Sequence, residues 1–289
     1  MYNTELKNKL INFAKKSDID LIGFASKDRF EGLDPRYNPF SIFPEGETVI
    51  LVGKRICRGS LRGVEEGSNF GDYGFFGSAW LDDEFLAIAC YDMTRQLEDE
   101  GWEAVPVYNN PPESYGMGVP VSKDKIAPNV APDFDYAFVA CGLGEISYSG
   151  LKFTKEYGSR QLFQMVITDA KLEPDPILEG NICDRCGKCA DICPLGAISK
   201  TEFEDVTICS KTMRVAKIDY NLCRSCKNGC RQNRHIAKAK PDMIPAICNR
   251  TCMIHLEEEG LVGNKFANNF RKREAWGFDI LSKPVQVKE

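Results

Sequence analysis

Four cysteines fall within eleven residues at CDRCGKCADICP, from Cys183 to Pro194. The C-x2-C-x2-C-x3-C-P spacing is that of a ferredoxin-type iron–sulfur site. Three thiolates two residues apart wrap one face of a cubane, and the fourth, fixed by the proline after it, points toward a second cluster. Electron transfer is the chemistry these residues imply. A second set supplies the partner: Cys209, then Cys223, Cys226 and Cys230 in LCRSCKNGC. Eight thiols suit two 4Fe-4S clusters. Because the outlying cysteine of each run crosses over, Cys183, Cys186, Cys189 and Cys230 are assigned to one cluster, and Cys193, Cys209, Cys223 and Cys226 to the other. Cys248 and Cys252 are the alternatives to Cys209. A zinc ribbon competes for C-x2-C pairs, but closure by Cys-Pro favours iron and sulfide.

A third cysteine group lies in CNRTCMIHLEEEG, where Cys248, Cys252 and His255 stand at i, i+4 and i+7. On a helix they share one face and form a candidate additional metal site. The competing reading is two small buried cysteines packed with Met253 and Leu256.

The elements that position these groups follow from periodicity. Thr4 is expected to cap an amphipathic helix with Leu6, Leu10, Phe13 and Ala14 on its apolar stripe, and IDLIGFAS then reads as a buried strand. GETVILVG is a second strand. A long helix from about Ser78 to Glu100 is expected to bury Leu81, Phe85, Ile88, Ala89 and Met93 on one side. EAVPV and LFQMVITD read as further strands, with a Gly-rich turn at Gly142 and Gly144 between them. Helices on a mixed sheet make an α/β (α+β) fold. The proline-bearing LEPDPILEGN marks a boundary. The expected domains are an α/β cofactor and substrate domain (1–175), a ferredoxin-like two-cluster domain (176–240), and a C-terminal helix and tail packing on the body (241–289).

The chain has 289 residues, 43% hydrophobic and 27% charged, ordinary for a globular protein. Its opening lacks a signal-peptide apolar region and no stretch reaches membrane-spanning length, which predicts a cytoplasmic protein. Thirteen cysteines in that setting argue for metal ligation over disulfides. The net charge of −5 hides an asymmetry: residues 1–180 hold 18 Lys+Arg against 29 Asp+Glu, and residues 181–289 hold 19 against 13. Cluster thiolates account for the basic half, with Lys188, Lys211, Arg214, Arg224, Lys227 and Arg231 offsetting their charge, so nucleic acid is not expected as a partner.

From Cys141, the text CGLGEISYSGLKFTKEYGSRQLFQMVITDAKLEPD followed by the cysteine runs resembles the epoxyqueuosine reductase and reductive dehalogenase superfamily. Its members show a GLGEIG-type turn, a GPR-type stretch, a TD.ELEPD-type strand exit and then two clusters. The likeness covers roughly residues 40–235 and includes Asp72-Tyr73, LEDEGWEAVPV and the isolated Cys209. The resemblance implies a cobalamin in the α/β domain, reduced through the clusters. It makes Gly142, Gly144 and Arg160 candidate corrinoid contacts, the glycines by close backbone approach and Arg160 through its planar fork. Tyr73 is the candidate proton donor, with Tyr91 a second, and Arg160 could also orient an anionic substrate. Aromatic packing is the alternative for Tyr73, a plain tight turn for the glycines, a salt bridge for Arg160, and turn formation for Asn109 and Asn110.

Departures from the family narrow the reading. The chain lacks the helical-repeat extension and the Cys-Pro-Trp of the tRNA-reducing branch, and it lacks the twin-arginine leader of respiratory dehalogenases. An insertion-like stretch at 115–135 replaces the region from which either branch presents residues. The expectation is a cytoplasmic, anaerobic iron–sulfur and corrinoid reductase that removes oxygen or halogen from a small organic molecule. A ferredoxin or flavodoxin would serve as its low-potential donor, and a homodimer is a candidate assembly. The alternative is an electron-transfer or activator protein that reduces a partner's corrinoid or metal centre.

Overall fold

The computed structural model describes residues 1–114 and 116–287, so Tyr115 of the insertion-like stretch lies outside it. Along the chain run α1 (Thr4–Lys16), β1 (Leu21–Ser26), β2 (Thr48–Arg55), α2 (Arg62–Glu65), α3 (Ala87–Asp99), β3 (Ala104–Val107) and α4 (Phe134–Ala140). Then come β4 (Glu145–Ile146), β5 (Lys152–Phe153), β6 (Gln161–Thr168), α5 (Lys188–Asp191), β7 (Ile198–Ile208), β8 (Lys211–Ile218), α6 (Tyr220–Ser225), α7 (Ile247–Glu258), β9 (Trp276–Phe278) and β10 (Pro284–Gln286). No helix among the described residues is long and apolar enough to cross a membrane.

The fold is mixed α/β, and it divides into two compact units that are not contiguous in sequence. One comprises 1–55, 80–143 and 162–178; the other comprises 56–79, 144–161 and 179–289. The expected boundary at Leu172 to Asn181 contains one crossing, but residues 56–79 and 144–161 join the cysteine-bearing unit, which a contiguous reading could not anticipate.

The first unit holds a four-stranded sheet in the order β1-β2-β6-β3, with β1 antiparallel to β2 and β3 antiparallel to β6. Six successive residues of β2, Thr48 to Gly53, are buried, as expected of a strand covered on both faces. Leu6, Leu10 and Ala14 of α1 pack with Phe24, Ile50, Val52 and Val166 of the sheet and with Leu86, Ala89, Met93 and Leu97. Each fully buried leucine contributes about 1.5–3 kcal/mol. The cap of α1 is Asn3, not Thr4: the Asn3 side chain accepts from the Leu6 amide at 3.0 Å.

The long helix expected from Ser78 departs from α geometry. Tyr73–Ala79 and Leu81–Leu86 are π-helical, and only Ala87–Asp99 is α. The wider turns rotate the following residues off the 3.6 period. Leu81, Ala89 and Met93 are buried as expected, whereas Phe85 is 43% and Ile88 60% exposed. The Asp82 carbonyl in this stretch is met by the Gln164 side chain, which donates at 2.9 Å.

In the second unit, β7 and β8 form an antiparallel hairpin, and α5, α6 and α7 carry cysteines. β9 and β10 form a terminal hairpin, tied down where the Trp276 indole donates to the Glu65 carbonyl at 2.8 Å. The buried Glu65 carboxylate takes Arg250 Nε and Arg271 Nε, each at 2.6 Å, and so pins α7 and the tail to α2.

Candidate metal centre

The first cysteine loop is shaped by short polar contacts. Buried Glu145 on β4 accepts from the Ile182 amide at 2.8 Å and the Cys183 amide at 2.6 Å, and it pairs with Lys211 at 3.2 Å. Asp184 accepts from the Cys186 amide at 3.1 Å, turning the chain. Gly187, at φ +80°, then adopts the left-handed conformation before α5. Cys183, Cys186 and Cys189 line one cavity, and the fourth sulfur on its wall is Cys252 of α7.

A second cavity is lined by Cys193, Cys223, Cys226, Cys230 and Cys248 among apolar side chains including Ile198, Met243 and Ile247. Asp219 caps α6, which carries Cys223. Asn228 is fully buried, and both its backbone amide (3.4 Å) and its side-chain amide (3.5 Å) donate to Cys226 Sγ. Both cavities are narrow. Each is walled by at least four thiols, the donor set of a 4Fe-4S cluster, so the residues fit such groups.

Burial pushes Cys189 up to about 12, and neighbouring Cys183 and Cys186 add to the shift. Burial and then Cys193 and Cys226 do the same for Cys223, also to about 12. Cys230, Cys248 and Cys252 move in the same direction, burial being the largest cause. A metal ion would stabilise the thiolate form that ligation requires.

The lining of the two cavities differs from the expected ligand pairing at two positions. Cys230 lines the second cavity and not the first, because its loop runs on directly from Cys223 and Cys226. Cys209 lines neither described cavity; it is exposed in the β7–β8 turn with φ +52°. The trio Cys248, Cys252 and His255 does not form one site, since Cys248 lines the second cavity while Cys252 and His255 line the first. His255 Nε2 lies 2.6 Å from Asp184 Oδ2, and its Nδ1 lies 3.2 Å from Lys188 Nζ. Donor atoms of Asp184, Cys186 and His255 lie within 4.8 Å of one another.

The residues considered for a corrinoid or for proton transfer are engaged elsewhere or open to solvent. Tyr73 is fully buried and donates to Asp242 Oδ2 at 2.8 Å, and burial holds its phenol well above the usual range. Tyr91 is 60% exposed on α3. Arg160 is 1% exposed, with Nη1 donating to the Ile56 carbonyl (3.0 Å) and Nη2 to Asn264 Oδ1 (2.8 Å). Gly142, at φ +71°, has the Pro176 carbonyl 2.3 Å from where a Cβ would sit, so its own unit demands glycine there. Gly144 is buried just before β4. Asn109 and Asn110 lie in a turn in which the Asn110 amide donates to the Tyr108 carbonyl. These contacts do not describe a corrinoid cradle. Among the expected charge-offsetting residues, Arg214 is paired with Asp205 and Lys211 with Glu145.

Sequence reasoning missed Glu145, Asn228 and Arg250. Arg250 offered the one signal, an arginine between Cys248 and Cys252 on a helix.

No family model matches the chain. A tetrachloroethene reductive dehalogenase of Dehalobacter restrictus is 32% identical over 117 residues, covering 39% of this chain and 18% of the relative. The epoxyqueuosine reductase of Bacillus subtilis is 24% identical over 229 residues, covering 67% of this chain and 52% of the relative. Among solved structures, an epoxyqueuosine reductase with an epoxyqueuosine-modified tRNA-Tyr stem loop aligns at TM-score 0.46 and 21% identity, covering 67% of this chain and 52% of that one. The chain spans about half the length of the epoxyqueuosine reductases and about a fifth of the dehalogenases it matches. It is related to both, and the superfamily read from its motifs, that of the epoxyqueuosine reductases and reductive dehalogenases, is the one to which its relatives point.

Proposed function

We propose that the chain is an iron–sulfur oxidoreductase that delivers electrons for reductive removal of oxygen or halogen from an organic acceptor. The carrying observation is a pair of thiol-walled cavities in one unit, with α7 contributing a cysteine to each. Cys183, Cys186, Cys189 and Cys252 would hold one 4Fe-4S cluster. Cys193, Cys223 and Cys226, with Cys230 or Cys248, would hold the other. Bound there, the clusters supply one-electron transfer at low potential. The protein's own part is to shield the second site behind Ile198, Met243 and Ile247, and to direct the Asn228 N–H groups at Cys226.

Removal of a halogen consumes two electrons and one proton and releases halide, so a ferredoxin or flavodoxin donor is part of the proposal. A small organohalide or epoxide is the proposed acceptor. The names of the relatives support both chemistries, and the modified tRNA stem loop of the solved relative belongs among the acceptors to be tried. The test is anaerobic turnover with a reduced viologen and an acceptor panel of aryl bromide, chloroethene, epoxide and epoxyqueuosine stem loop, with and without added cobalamin. Donor oxidation that depends on one acceptor supports the reading. Clusters that reduce none of these acceptors, but reduce the metal centre of a second protein, favour the carrier alternative.

A further inference from the structure

The second cavity has five sulfurs on its wall, and a 4Fe-4S cluster takes four. We propose that Cys248 of α7 is the fourth ligand alongside Cys193, Cys223 and Cys226, and that Cys230 is a non-ligating neighbour. This rests on the iron–sulfur reading above and decides a point which that reading leaves open.

Three observations favour Cys248. The first is its element. Cys248 and Cys252 are four residues apart, which places their Cβ atoms about 5–6 Å apart on one helix face. Cys252 already completes the first set, so one helical turn would present a sulfur to each cluster and fix their separation. Buried Arg250, held by Glu65 at 2.6 Å and donating to the Pro245 carbonyl, locks that turn.

The second is burial: Cys248 is buried in the wall of that cavity, whereas Cys230 is half-buried.

The third is the backbone at Cys230. Arg231 and Asp242 exchange both amide hydrogen bonds, at 3.0 and 2.9 Å. Tyr73 donates to the Asp242 carboxylate. Gly229, at φ +98°, packs so tightly that a Cβ there would lie 2.3 Å from the Pro245 carbonyl. These contacts fix Cys230 beside Tyr73 and Asp242 and leave little slack to close on iron. Tyr73 thereby becomes a positioning residue for this loop.

The experiment compares Cys230→Ala and Cys248→Ala in the full chain, anaerobically reconstituted with iron and sulfide, by iron and labile-sulfide content and by EPR after dithionite reduction. Cys230→Ala should keep about eight irons and the spin-coupled spectrum of two reduced clusters. Cys248→Ala should fall to about four irons and retain an uncoupled signal from the first site, which also shows that it has folded. Loss of a cluster in Cys230→Ala, or retention of both in Cys248→Ala, overturns the proposal. Should Cys248→Ala not fold, the Cys230→Ala result decides alone. Wild-type chain that binds no iron would sink the iron–sulfur reading itself, a different outcome from either of these.

Discussion

Cys248 and Cys252 stand one turn apart on α7, yet Cys248 lines the second thiol cavity and Cys252 the first. A single helix therefore presents a sulfur to each of two sites, as the Cys183–Cys193 run also does.

Cys252→Ala should lose about half the bound iron, because it removes the fourth sulfur of the first set, while Cys209→Ala should leave iron unchanged. Iron and sulfide assays of the two variants check this. Equal losses would restore Cys209 as a ligand.

Glu65→Gln should destabilise the chain by about 3–5 kcal/mol, since it leaves buried Arg250 without an acid. Burial tends to raise the Glu65 pKa, but the Arg271 hydrogen bond and the charges of Arg250 and Arg271 outweigh it and hold the carboxyl below its ordinary 4.5. A depressed acid contributes stability above its unfolded pKa and loses it as pH falls through the folded value. Urea unfolding should therefore show wild-type stability declining below pH 4.5, with that part of the decline absent in the variant.

Gly142→Ala should cost more than about 1 kcal/mol, because the new Cβ meets the Pro176 carbonyl at a positive φ. Denaturant midpoints measure it. An unchanged midpoint, with loss only of added cobalamin binding, would return Gly142 to a corrinoid role.

Asn228→Asp keeps an acceptor for the Phe278 amide but removes the side-chain N–H donated to Cys226. Fewer hydrogen bonds to sulfur disfavour the more negative reduced cluster, so the second cluster's potential should fall. An EPR-monitored redox titration reads the direction, and a rise would place Cys226 outside the cluster.

Much of this was legible in sequence where the signal is local. The Cys183–Cys193 spacing marked a loop that does carry three sulfurs of one cavity, and the apolar runs at Val49–Val52 and Leu162–Thr168 are strands of the first unit's sheet. Non-local features were hidden. Cys252 lines the first cavity only because α7 folds back across some sixty residues of chain, which no count of spacing from Cys223 reveals. Phe85 and Ile88 obeyed a 3.6 period that the π-helical turns break. Glu145 and Asn228 act through single polar contacts that leave no periodic trace.

The most direct measurement is the content of iron, labile sulfide, zinc and cobalt per chain in protein purified without oxygen. Two thiol-walled sites predict about eight irons and eight sulfides with zinc absent. Stoichiometric zinc, or about four irons that reconstitution cannot raise, would contradict the account.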